Sequence, residues 1–189
     1  MIPFNYLGFV FKHFSSVLYP EKVLEELCDF IKVFPAEASV LDVGAGAGMM
    51  SESAYRCNKE LRYTALDPAE GMLKYAQNYI QKHIGTAEAL PFDDESFDVV
   101  LMGESLHHFN DVDLSMKEVV RVLKKNGKLF IYDFDLGTFR GKLICAMEKL
   151  LGEPAHFYEV DSLKKMLESH GFSVDISQHK WRYTASATL

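Results

Sequence analysis

The chain has 189 residues, 48% hydrophobic and 25% charged, a composition expected of a single soluble globular domain with a real core. Its formal charge of −7 speaks against nucleic acid as a partner, because phosphate binding needs clustered Lys and Arg. It has no apolar run of about 18 residues, no basic start or cleavage site of a secretion signal, and three cysteines (Cys28, Cys57, Cys145) that imply no disulfide framework, so a cytoplasmic location is the default.

Residues 1–19 are rich in rings: Phe4, Tyr6, Phe9, Phe11, Phe14 and Tyr19. They are expected to fold back over the core or over a pocket. A membrane-surface helix is the alternative, but only Lys12 and His13 supply positive charge before Lys22. Pro20 opens a helix that carries Val23, Leu24, Leu27, Ile31 and Phe34 on one face, and Pro35 ends it.

The stretch from Ser39 to Gly48 is the centre of the chain. An apolar run stops at Asp42-Val43, and Gly44, Gly46 and Gly48 follow at alternate positions before a helical segment from Met49. Strand, glycine turn and helix start a βαβ unit, in which backbone N–H groups approach a ligand closely. A dinucleotide fingerprint needs a small residue where Met49 stands. Asp42 suits a cationic group such as an ammonium better than a pyrophosphate.

A second strand ends at Asp67, about 20 residues past the glycines, where an acid holds ribose hydroxyls or caps the next helix. That helix is expected to start at Pro68 and to bury Met72, Leu73, Ala76 and Ile80. Residues 83–86 read as a third strand and 97–102 as a fourth, which Gly103, Glu104, His107 and His108 leave at its C-terminal end. Val112, Met116, Val119, Val120 and Leu123 make an amphipathic helix closed by Lys124, Lys125 and Asn126-Gly127. A fifth strand spans 128–134, and helices are expected over 138–151 and from Val160 to Leu167. Two final strands, at 172–176 and from Trp181 onward, are too close for a crossover helix and must be antiparallel. Strands alternating with helices mean an α/β fold with a mostly parallel sheet.

These motifs, in this order, resemble class I S-adenosylmethionine (SAM)-dependent methyltransferases, with a closer likeness to ubiquinone/menaquinone C-methyltransferases. The matching residues are 41–48, Leu66-Asp67-Pro68, Met72-Leu73, 87–92, 96–100, Leu106-His107-His108-Phe109, Glu118 and Arg121-Val122-Leu123-Lys124. The resemblance implies a Rossmann-like three-layer sandwich. Its seven-stranded sheet has the order 3-2-1-4-5-7-6, with strand 7 antiparallel. It implies one domain over 1–189, with 1–34 as a substrate-cover segment and helix and 138–158 as an insertion near the pocket.

The resemblance also implies roles. Asp42, Gly44, Ala45 and Gly46 hold the methionine end of the cofactor, Asp67 the ribose hydroxyls, and Pro68 and Met72 the adenine side. Thr86, Ala87 and Glu88 form the adenine loop, and Gly103 places its backbone beside the methionyl group. Thr86 stands where relatives often carry Asp or Asn, and Lys125-Asn126-Gly127 replaces a Pro-Gly-Gly turn.

The sulfonium is already an activated leaving group, so the protein mainly aligns acceptor and methyl and excludes water. A base is needed only for an acceptor that loses a proton. His107, His108 and Glu104 are the candidates, each set against a structural role in the turn. Tyr6, Tyr19, His156 and Tyr158 are placed to reach the pocket. No metal site is expected, because adjacent histidines rarely face one ion and no third ligand is evident. The aromatic N-terminus favours an apolar or aromatic small-molecule acceptor. Two rivals are a nicotinamide oxidoreductase, disfavoured by Asp42 and Met49, and a non-catalytic SAM-binding regulatory or partner protein.

Overall fold

The computed structural model describes residues 19–189; the aromatic stretch up to Leu18, Tyr6 included, lies outside the described residues. The elements, in chain order, are α1 (Glu21–Lys32), β1 (Ser39–Val43), α2 (Met49–Cys57), β2 (Arg62–Asp67), α3 (Glu70–Leu73), β3 (Gln81–Ile84) and β4 (Phe97–Gly103). After a 3-10 turn at Leu106–His108 come α4 (Val112–Val122), β5 (Leu123–Phe134), α5 (Phe139–Leu150), α6 (Val160–Ser169), β6 (Ser173–His179) and β7 (Arg182–Thr188).

The seven strands form one sheet in the order β3-β2-β1-β4-β5-β7-β6. β1 lies parallel between β2 and β4, while β7 runs antiparallel to both β5 and β6, as expected. Central strands are buried on both faces, which is why they read as unbroken apolar runs. Their side chains alternate: Val99 and Leu101 join α1 and α2 (Val23, Leu27, Ile31, Met50), whereas Val100 and Met102 join α4 and α6 (Met116, Val119, Leu163, Leu167).

Four expectations are corrected. The helix expected from Pro68 to Ile80 is a single turn, Glu70–Leu73, followed by i→i−3 bonds from Tyr75, Ala76 and Ile80. Its four apolar residues are all buried, so the spacing reported burial, and Gly71 weakened the helix. β3 lies two residues earlier, at Gln81–Ile84, which leaves Thr86 in the loop beyond it. β5 begins at Leu123, directly after α4, and Asn126 (φ 60°) sits in a register break between Phe97↔Leu123 and Val99↔Lys128.

The fourth correction concerns the cysteines. Cys28 of α1 and Cys57 of α2 are 29 residues apart in sequence but form a disulfide. This pairing removes the cysteine argument for a reducing compartment. Among the described residues no helix is long and apolar enough to cross a membrane.

The motif residues Glu118 and Arg121 prove to be braces. Glu118 accepts from the Leu90 N–H at 2.8 Å, and Arg121 donates to the Leu90 and Phe92 carbonyls at 2.9 and 2.8 Å. They pin the loop that follows β3 onto α4.

Candidate active site

The C-terminal ends of β1, β2 and β4 meet where the sheet order reverses, the usual crevice of an open α/β sheet. Gly44 and Ala45 turn out of β1 by donating to one acceptor, the Leu66 carbonyl, at 2.8 and 3.1 Å. Gly44 has φ +69°, and a Cβ there would stand 2.6 Å from the Ser105 Cβ, so no side chain fits. Ser105 ties the same turn to β4 by donating its hydroxyl to the Val43 carbonyl at 2.8 Å.

Asp42 is 1% exposed. Its Oδ2 accepts the Ser51 N–H and hydroxyl at 3.0 and 2.7 Å, and its Oδ1 has no partner among the described residues. Burial pushes this carboxyl up to about 6, against the pull of the Ser51 hydrogen bonds. Asp67 is also buried and accepts from the Gly46 N–H at 2.8 Å and the Ala69 N–H at 2.7 Å. Each of its oxygens keeps a lone pair for a further donor. Asp67 thus bridges the glycine turn and the start of α3, whose Met72 lies against Gly46.

The loop after β3 departs from a simple adenine cradle. Thr86 and Pro68 are exposed and Ala87 is buried. The Glu88 carboxylate accepts from the Asn110 and Asp111 N–H groups at 2.7 and 3.3 Å. Burial raises it, but its own backbone N–H, those two bonds and the Thr86 hydroxyl leave it below its ordinary value. Its oxygens are therefore engaged by the backbone beyond the His107-His108 turn.

At the end of β4, a Cβ on Gly103 would meet the Tyr19 hydroxyl at 2.5 Å, so this phenol packs on bare backbone. Glu104 leaves the strand at φ +53° and forms an ion pair with Arg182 of β7 at 2.6 Å. Burial pushes Glu104 up to about 7, with the Arg182 charge opposing. Arg182 also donates to the Tyr132 hydroxyl at 2.7 Å and lies over the Trp181 ring at 4.1 Å.

His107 is the most enclosed of the expected acid–base residues. Its Nδ1 lies 2.6 Å from Asp133 Oδ1, and its Nε2 lies 3.6 Å from Glu148 Oε1 of α5. Burial works against a charge here, but Asp133 and then Glu148 hold the imidazole up to about 10. The neighbouring His108, its ring 4.0 Å away, is pushed down to about 4 by burial and by the His107 charge. Phe134, Phe157 and Trp181 stack alongside, with Phe157 4.6 Å from His107. His156 is exposed and enters only through its N–H, which donates to the His107 carbonyl at 2.8 Å. Tyr158 is half-buried and packs on the main core.

Ser51, Asp133, Glu148 and Arg182 were not legible as site residues. Asp133, Glu148 and Arg182 are distant in sequence from their partners, Ser51 lies nine residues from Asp42, and none belongs to a motif. Glu148 is the third group that the two histidines lacked in the sequence, and the only available signal was its place in the 138–158 insertion.

The methyltransferase-domain profile matches residues 41–131. An uncharacterised methyltransferase of Bacillus subtilis, YcgJ, is 37% identical over 52% of this chain, and the match spans only 41% of that relative. A demethylmenaquinone methyltransferase of Tropheryma whipplei is 31% identical over 77% of this chain and 70% of the relative. A SAM-dependent methyltransferase structure from Thermotoga maritima shares the fold, with a TM-score of 0.75, 20% identity, and coverage of 98% of this chain and 97% of that one. On this identity, strand order and glycine turn, the chain belongs to the class I SAM-dependent methyltransferases and resembles their ubiquinone/menaquinone C-methyltransferase branch.

Proposed function

We propose that the protein methylates a small molecule held beyond the C-terminal end of β4. When bound, the cofactor would supply a methyl group on a sulfonium, an activated leaving group, to a nucleophilic atom of the acceptor. The observation that carries the reading is the buried Asp42 Oδ1, which has no partner among the described residues. An unpaired buried carboxylate oxygen is costly unless a ligand cation meets it, and the cofactor's methionyl ammonium is such a cation.

The remaining residues fit the same ligand. Asp67 has lone pairs left for ribose hydroxyls, Gly44, Ala45 and Gly46 offer close backbone, and Met72 supplies an apolar wall. Thr86, Ala87 and Pro68 border the adenine end. Glu104 is our choice for the proton of an acceptor N–H or O–H, because a carboxyl near 7 exchanges protons around neutrality. His107 acts as a positioning residue, its ring held by Asp133. The Phe134, Phe157 and Trp181 rings, beside the 138–158 segment, support an apolar or aromatic acceptor.

Calorimetric titration with SAM, S-adenosylhomocysteine and NADH tests the cofactor assignment. Micromolar binding of both adenosyl ligands, weakened by Asp42→Asn and by Asp67→Ala, is expected. Binding of NADH alone, or no adenosyl binding, would remove the assignment.

A further inference from the structure

We propose that His107, His108 and Glu148 form a binding site for one divalent transition-metal ion. One donor atom from each of the three lies within 4.8 Å of the others, although the histidines leave β4 and the glutamate comes from α5. His107 Nε2 and Glu148 Oε1 stand 3.6 Å apart. Two donors about 2.1 Å from a tetrahedral ion are separated by about 3.4 Å, so this edge needs almost no closure.

Two further observations point to a ligand. Asp133 Oδ1 takes the other ring nitrogen of His107 at 2.6 Å, the arrangement that fixes a metal-ligating imidazole and directs Nε2 at the ion. Glu148 Oε2 is buried and has no hydrogen-bond partner among the described residues, so this carboxylate has an unspent oxygen in an enclosed place.

Two imidazoles and one carboxylate suit zinc, cobalt, nickel or iron(II), whereas magnesium and calcium prefer all-oxygen shells. Three protein ligands leave a coordination position open. That position suits a lone-pair atom of the methyl acceptor. This use rests on the methyltransferase reading; the binding of the ion does not.

The test uses the full chain without an affinity tag, stripped by chelation and titrated with Co²⁺ under visible absorption. Wild type is compared with His108→Gln, Glu148→Gln and the distant control His170→Gln. Expected are one Co²⁺ per chain, the intense d–d absorption of a four- or five-coordinate site, and a loss of affinity of about tenfold or more in the first two variants alone. Absorption no stronger than that of aqueous Co²⁺, or binding that survives both variants, overturns the proposal. S-adenosylhomocysteine titration of the same samples verifies the fold. Adenosyl binding without cobalt binding removes the metal site and leaves the methyltransferase reading standing. Cobalt binding without adenosyl binding does the reverse.

Discussion

One oxygen of Asp42 accepts both the N–H and the hydroxyl of Ser51, at 3.0 and 2.7 Å, while the other has no partner among the described residues. The first turn of α2 thus holds the carboxylate still and leaves one face of it for a ligand. Because burial lifts Asp42 to about 6, a bound ammonium must favour its ionised form. Affinity for S-adenosylhomocysteine should be full above about pH 6 and fall as the pH drops through that value. In the free protein the sign is opposite, since an ionised carboxyl raised by burial costs stability, and that cost disappears as the pH falls. Asp42→Asn should weaken adenosyl binding and flatten its pH dependence, as read by calorimetry across pH.

Gly44 and Gly46 both have positive φ, but their surroundings differ. A Cβ on Gly44 meets the Ser105 Cβ at 2.6 Å, whereas one on Gly46 meets only the flexible end of Met72 at 3.3 Å. Gly44→Ala should therefore cost the more stability, about 1–3 kcal/mol beyond Gly46→Ala, since strain and overpacking act together there. Urea unfolding of the two variants measures the difference, and equal midpoints would contradict it.

In the metal-free protein Asp133 holds the charge on His107, both side chains being 2% exposed. His107 is raised from 6.5 to about 10, so its contribution to stability is complete below about pH 6.5 and is lost as the pH rises through about 10. Asp133→Asn leaves a buried cation without its main partner and should cost about 3 kcal/mol at neutral pH. It should also abolish the decline in stability between neutral and alkaline pH. Melting curves across that range, taken in chelator, check both points.

The Cys28–Cys57 disulfide joins α1 to α2 and closes a loop with a sequence separation of 29. A loop of that length corresponds to about 3–4 kcal/mol in the chain-entropy model. Treatment with reductant, or Cys57→Ser, should lower the melting temperature by several degrees. The buried Cys145→Ser serves as a control that should not change the response to reductant.

Some of this molecule was written in periodicity and motif order. Continuous apolar runs placed β1 and β4 in the middle of a parallel sheet, because only strands covered on both faces read that way. Closely spaced final strands required antiparallel pairing. Asp42, Gly44 and Asp67 could be singled out because their chemistry is local: a strand end, a turn that tolerates no Cβ, an acid at a fixed remove. The third helix failed by the same logic, since Met72, Leu73, Ala76 and Ile80 are buried in successive tight turns as well as they would be in a helix.

The rest depended on contacts between distant segments. Nothing near His107 announces Asp133, 26 residues later on the adjacent strand, or Glu148 on a helix beyond it. Arg182 reaches Glu104 because β7 reverses beside β5, and Cys57 reaches Cys28 because α1 and α2 share one face of the sheet. Burial made these pairings matter: it raised Asp42 and Glu104 and lowered His108, while Asp133 and Glu148 raised His107 against it. A linear chain carries the identities of such groups, but their desolvation and mutual distances exist only once the sheet has closed around them.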